Sequence, residues 1–112
     1  MPGAPDMETD CRTLKQKLDA GEDFLLLDCR ERNEHELVRI EGSTLIPMSE
    51  MRARASELEP YRQKEIIVHC HHGGRSLQVT AWLRQQGFAN VRSLAGGIDQ
   101  WAAEIDPRLP RY

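Results

Sequence analysis

The 112-residue chain has the size of one domain, and its 39% hydrophobic and 29% charged residues are typical of a globular protein. Its net charge of −3 includes no long run of like charge, which argues against nucleic acid or a membrane surface as partner. We therefore predict a single domain over residues 1–112, with a frayed start over residues 1–8.

The three cysteines stand at irregular spacing and do not form the framework of a small disulfide-bonded domain. The first residues also lack the apolar stretch of a signal peptide or membrane anchor. Both features predict a cytoplasmic location, where a reducing environment keeps thiols free.

The first predicted helix begins at a cap formed by Thr9 or Asp10. Cys11 shares one apolar stripe of this helix with Leu14, which favours a packing role for Cys11 over that of a second redox centre. A resolving role for Cys11 would require it to approach Cys70.

The next elements alternate strand and helix. Residues 24–28 are apolar without alternation, as in a strand that is covered on both faces. Residues 34–38 are a predicted short helix, and residues 44–46 a short extended segment. Ser49 is a predicted cap for a helix that stops before Pro60.

The second half of the chain repeats this alternation. We predict a strand over 65–69, a helix over 76–86 capped by Ser76, a strand over 90–93, and a last helix that starts at Gly96-Gly97. Strands that alternate with helices predict an α/β fold with a mainly parallel sheet.

Cys70 has the surroundings of a reactive cysteine. It ends the apolar run Ile66–Val68, and no apolar residue follows before Leu77. Loop amides and a helix N-terminus at this position favour negative charge, so the thiol should ionise easily. The alternative is a buried structural cysteine. The polar sequence and the pair Gly73-Gly74 favour the catalytic interpretation.

Three histidines near Cys70 raise the possibility of a metal site. His69 and His71 alternate along the strand and, with Cys70, are candidate ligands of one ion, but adjacent residues at a strand end rarely converge on tetrahedral geometry, and no fourth ligand is evident. We therefore predict neither a metal nor another cofactor. His71 and His72 are instead predicted to line the rim of the loop, where protonation below about pH 6.5 adds positive charge.

Three stretches of the chain resemble the rhodanese-type sulfurtransferases. Cys70–Ser76 is similar to their active-site loop, in which four residues separate the cysteine from an arginine followed by serine or threonine. Leu25–Glu31 with Glu34, Arg39–Ser43 and Ile46-Pro47 resembles their first-strand signature, and Val91–Ile98 with Trp101 resembles their closing motif. The three stretches keep the order and spacing of that family from about Asp10 to the end of the chain.

The resemblance implies a rhodanese-like α/β fold with a mainly parallel central sheet and helices on both faces. It implies a catalytic Cys70 and a loop that binds the substrate and the persulfide, formed by His71, His72, Gly73, Gly74, Arg75 and Ser76. Asp28 and Arg30 are implied as supporting residues that hold loops through hydrogen bonds and ion pairs. Relatives usually carry valine where this chain has Cys29, which favours a buried structural thiol there.

The implied reaction starts when the Cys70 thiolate attacks the outer sulfur of thiosulfate or of a persulfide donor. The resulting Cys70 persulfide then passes its sulfur to a thiol or to a sulfur-carrier protein. Arg75 would stabilise the anionic sulfur and orient a sulfonate. Val38 and Arg39 replace the glycine and histidine of the commonest pattern, as in the subgroup that works with ubiquitin-activating-like adenylyltransferases.

Two alternatives remain open. Cysteine-dependent phosphatases and arsenate reductases can share this fold, but their loops hold five residues between cysteine and arginine, whereas this chain has four. The smaller ring favours one added sulfur over a phosphate. Non-catalytic binding modules of the same fold generally lose the cysteine, and this chain keeps Cys70 together with Arg75.

Overall fold

The structure is a computed structural model, and it describes residues 7–112. Within these residues the strands are β1 (Glu8–Thr9), β2 (Phe24–Asp28), β3 (Thr44–Leu45), β4 (Glu65–His69) and β5 (Asn90–Leu94). The α-helices are α1 (Cys11–Asp19), α2 (Arg32–Leu37), α3 (Met51–Arg54), α4 (Gly74–Gln85) and α5 (Gly97–Glu104). Two 3₁₀ segments, Met48–Glu50 and Ala55–Tyr61, flank α3.

The five strands form one sheet in the order β1-β5-β4-β2-β3, and every neighbouring pair is parallel. The α/β fold with a parallel sheet, predicted from the sequence, is therefore confirmed. β4 lies in the middle, between β5 and β2. Because the carboxyl ends of parallel strands meet at one edge of a sheet, the segments that follow β2, β4 and β5 lie side by side.

A hydrophobic cluster covers each face of the sheet. One face packs Ile66 and Val68 of β4 against Val79 and Leu83 of α4. The other face packs Ile67 with residues of α1 and α5. Strands buried on both faces need apolar side chains at successive positions, which explains the unbroken apolar run in β2.

The cap of α1 agrees with the sequence. The Asp10 carboxylate accepts a hydrogen bond of 2.8 Å from the Thr13 amide. A frayed start was predicted over residues 1–8. Residues 1–6 lie outside the described residues, but Glu8 is not frayed, because it pairs with β5 together with Thr9. The Ala95 amide donates to the Thr9 carbonyl at 2.8 Å, and this tertiary bond holds the short edge strand.

The segment after Pro47 also differs from its prediction. A helix capped by Ser49 was expected to stop before Pro60, but Pro60 lies inside the second 3₁₀ segment. The Ser49 hydroxyl donates to Glu31 at 2.9 Å instead of capping a helix. A contact between residues that are distant in sequence thus replaces the local cap. Within residues 7–112, no helix combines the length and apolar character needed to span a membrane.

Candidate active site

The loop after β4 surrounds the sulfur of Cys70. The amides of Gly73 and Ser76 donate hydrogen bonds to Sγ at 3.1 and 3.3 Å. The Ser76 hydroxyl lies 3.4 Å from the same sulfur and 2.7 Å from the hydroxyl of Ser93 on β5. Cys70 is only 1% exposed, because it also packs in the hydrophobic cluster beneath α4.

Ser76 was predicted to cap α4, and this prediction is wrong. The helix starts at Gly74, and its N-cap is Gly73, with φ of 117°. An L-residue rarely adopts this conformation, whereas glycine does so without steric cost. Ser76 therefore falls within the first helical turn, where both its amide and its hydroxyl face Sγ.

The hydrogen bonds around Cys70 favour its thiolate. The Cys29 thiol makes the largest contribution, and together with Ser76 and the Gly73 amide it lowers the pKa of Cys70 to about 4, against the effect of burial. The same interaction with Cys70, together with burial, raises the pKa of Cys29. At neutral pH the pair therefore consists of a Cys70 thiolate and a protonated Cys29 thiol.

The N-terminus of α5 holds the start of the loop. The amides of Ile98 and Asp99 donate to the carbonyls of Cys70 and His71 at 2.9 and 3.0 Å. Gly97 has a φ of 60°, and a Cβ atom there would lie 2.4 Å from the His71 carbonyl oxygen and 2.5 Å from that of Cys70. Glycine at this position thus permits the close approach of helix and loop.

Asp28 and Arg30 form a buried ion pair beneath the loop. Both side chains are inaccessible to solvent, and the Arg30 guanidinium donates to the Asp28 carboxylate at 2.7 and 2.9 Å. Arg30 also donates to the Val38 carbonyl at 2.6 Å, which ties the chain after α2 to the end of β2. Burial raises the pKa of Asp28, but the hydrogen bonds from Arg30 and His35, together with the charge of His69, outweigh it and leave the pKa at about 2.

The Arg75 side chain pairs with Glu34, at the start of α2. Two hydrogen bonds, of 2.7 and 2.9 Å, join the guanidinium to the carboxylate. Tyr112 completes the network, because its hydroxyl donates to Glu34 at 2.8 Å and accepts from Arg30 at 2.9 Å. Arg75 makes the largest contribution to lowering the pKa of Glu34 to about 2.

Glu34 and Tyr112 were not among the predicted site residues. Glu34 stands in the first-strand signature, and this could have drawn attention to it. Nothing in the local sequence around Tyr112 indicates that it contacts Glu34 and Arg30, 78 and 82 residues earlier.

His71 and His72 lie at the rim of the loop, beside the end of the chain. The ring of His71 stacks on that of Tyr112, with centroids 3.9 Å apart and planes within 5°. His72 is mostly exposed, with Nδ1 3.8 Å from Asp99. His69 is fully buried on the opposite face of β4 from Cys70, because successive strand residues alternate between faces. The described residues contain no group of three or more His, Cys, Asp or Glu side chains that could hold a metal ion.

Comparison with known proteins identifies a family. Residues 10–104 match the model of the rhodanese-like domain. A sulfurtransferase of Allochromatium vinosum is 37% identical over 95 residues, which cover 85% of this chain and 87% of that protein. A rhodanese-related protein of Thermoplasma volcanium has a similar structure, with a TM-score of 0.77 and 34% identity over 88% of this chain and 92% of that one.

Longer relatives carry a similar domain. An adenylyltransferase and sulfurtransferase of Zea mays is 33% identical over 107 residues, which cover 91% of this chain. The chain spans only 22% of the length of that protein.

Proposed function

The chain belongs to the rhodanese-like domain family, and on that premise we propose that it is a sulfurtransferase that carries a sulfane sulfur as a persulfide on Cys70. The observation that supports this proposal most directly is that the amides of Gly73 and Ser76 donate to Sγ at 3.1 and 3.3 Å. These donors support a thiolate nucleophile before the reaction and an anionic sulfur after it.

The first half-reaction takes sulfur from the donor. The Cys70 thiolate attacks the outer sulfur of thiosulfate, the S–S bond breaks, and sulfite leaves with the bonding electron pair. With an organic persulfide as donor, a thiolate leaves instead. The second half-reaction passes the terminal sulfur of the Cys70 persulfide to a nucleophile and restores the Cys70 thiolate. Two successive displacements predict double-displacement kinetics.

The pairing of Arg75 bears on the choice of donor. Glu34 neutralises its guanidinium, so the charge available to attract a dianion such as thiosulfate is reduced. A persulfide donor carries less charge and depends less on Arg75. We therefore propose that the site accepts both donors and that Glu34 limits its affinity for thiosulfate.

The acceptor in this proposal is a thiol or a sulfur-carrier protein. Support comes from the similarity to a Bacillus subtilis protein named as a putative sulfur carrier protein, which is 34% identical over 99 residues. A cytoplasmic setting fits this chemistry, because a reducing compartment keeps Cys70 available as a thiolate.

The test is the transfer of sulfur from thiosulfate to cyanide, followed as thiocyanate formation. The wild type should show parallel double-reciprocal plots, and Cys70→Ser should show no activity. Cys11→Ser is the matched control, because Cys11 is equally buried but lies in the cluster on the other face of the sheet. Activity that survives in Cys70→Ser would overturn the proposal.

A further inference from the structure

Cys29 and Cys70 are neighbours at the ends of adjacent strands. β2 and β4 are parallel with Asp28 opposite His69, and the Cys29 amide extends the ladder by donating to the His69 carbonyl at 3.1 Å. Cys29 and Cys70 therefore form the next pair in register. Residues opposite each other in a parallel pair point to the same face, and both cysteines belong to the same hydrophobic cluster.

The spacing of this pair suits a disulfide. Adjacent strands are about 4.8 Å apart, within the Cα–Cα separation of roughly 4.4–6.8 Å that disulfides require. The Cys29 thiol lies beside the Cys70 sulfur on the same face of the sheet, and each influences the pKa of the other. Cys11 is equally buried but lies in the cluster on the opposite face, so it has no such access. The sequence favoured a structural role for Cys29, but its position places a second thiol beside the nucleophile.

We propose that Cys29 is a resolving thiol that releases the sulfur carried by Cys70 as hydrosulfide, a second activity that rests on the proposed sulfur transfer. Cys29 attacks Sγ of the Cys70 persulfide. A Cys29–Cys70 disulfide forms, and the bond between Sγ and the terminal sulfur breaks. The proton of Cys29 moves to the departing sulfur, so that a thiol and a persulfide anion become a disulfide and HS⁻.

The electrons of this step balance without an external oxidant, because the sulfane sulfur is reduced while the two cysteines are oxidised. The inner sulfur is the atom attacked, since Cys29 lies opposite Cys70 in the register of β2 and β4 and on the same face as Sγ. The amides of Gly73 and Ser76, which donate to the site from the loop, stabilise the negative charge that leaves with the terminal sulfur. An external dithiol would then reduce the disulfide and return the protein to its starting state.

A single-turnover experiment tests this step. The reduced protein is loaded with thiosulfate, desalted, and kept without oxygen or added thiol, while its intact mass and the hydrosulfide in solution are followed. The mass should first rise by one sulfur atom and then fall to that of the reduced protein less two hydrogens, with one hydrosulfide released per chain. Peptide mapping should find a Cys29–Cys70 disulfide.

Two variants serve as comparison. Cys29→Val replaces the thiol with an apolar side chain suited to a strand end. The variant protein should keep the added sulfur on Cys70 throughout the period in which the wild type loses it. Cys11→Val removes an equally buried thiol from the other face and should behave as the wild type does.

The possible results separate the two proposals. A chain that gains no sulfur overturns both, because no persulfide exists for Cys29 to resolve. A persulfide that forms and persists in the wild type overturns the role of Cys29 alone. The same holds if Cys29→Val releases hydrosulfide as fast as the wild type, or if the added sulfur is found on Cys29.

Discussion

His69 should make the fold sensitive to mild acid. Its ring is completely buried, and neither ring nitrogen has a hydrogen-bond partner within the described residues. Burial lowers the pKa of His69 to about 4, although the charge of Asp28 opposes that effect. In the unfolded chain the pKa returns to about 6.5. Between these values the unfolded chain binds a proton that the folded chain does not, so stability falls as the pH falls.

The size of this effect follows from the two pKa values. A difference of about 2.5 units corresponds to roughly 3 kcal/mol at most, of which about 2 kcal/mol is lost between pH 7 and pH 5. Asp28 and Glu34 have a folded pKa of about 2, so the stability that they contribute is lost only at lower pH. Among these three groups, His69 should therefore account for most of the stability lost between pH 7 and pH 5.

Urea unfolding at pH 7 and pH 5 measures the effect. The wild type should lose about 2 kcal/mol between the two pH values. His69→Leu removes the titrating ring and should lose much less, and His72→Gln, at an exposed histidine on the loop rim, is the control substitution. Equal losses in the wild type and His69→Leu would refute this account of His69.

Three further predictions concern the site itself. The thiolate absorbance of Cys70 near the ultraviolet edge should titrate with a midpoint near pH 4, because of its hydrogen bonds, and Cys29→Val should raise that midpoint. Glu34→Gln should lower the KM for thiosulfate more than for a persulfide donor of lower charge, since it frees the Arg75 guanidinium. Gly97→Ala should cost more than about 1–2 kcal/mol in urea unfolding and reduce sulfur transfer, because the φ of 60° is strained for alanine and its Cβ meets the loop carbonyls.

Each of these predictions has an outcome that contradicts it. A Cys70 midpoint near that of a free thiol would mean that the loop does not favour the thiolate, and the Cys70→Ser spectrum provides the baseline. Equal changes in KM for both donors in Glu34→Gln would make the ion pair with Arg75 purely structural. If Gly97→Ala retains the stability and activity of the wild type, close approach of α5 to the loop is not required.

The loop size also predicts what the protein should not do. Four residues between Cys70 and Arg75 form a ring suited to one sulfur, so hydrolysis of an aryl phosphate should stay at background. Robust hydrolysis that disappears in Cys70→Ser would support the phosphatase alternative.

Local sequence patterns predicted some of the elements well. The apolar runs of β2 and β4 and the capped start of α1 depend on neighbouring residues, and their positions agree with the structure. The predicted start of α4 was too late in the chain. Ser76 is a good cap by residue type, but Gly73 has the backbone conformation that the tight loop requires and is the actual N-cap.

The rest of the site depends on contacts between distant residues. Glu34 and Arg75 are separated by 41 positions, and Tyr112 lies 78 positions beyond Glu34. The pairing of Cys29 with Cys70 follows from the register of β2 against β4, which no local pattern contains. The sequence thus indicated Cys70 and its loop as the candidate site but not Glu34 and Tyr112, which pair with Arg75 and Arg30 there.

The most direct test of the central claim is to locate the sulfur. The reduced protein should be mixed with thiosulfate, quenched promptly, weighed intact and then mapped by peptides. We expect a gain of one sulfur atom on Cys70, removal of that sulfur by cyanide, and no gain in Cys70→Ser. The absence of any gain with thiosulfate and with a persulfide donor, or the presence of the sulfur on Cys11 while Cys70 stays unmodified, would contradict the claim.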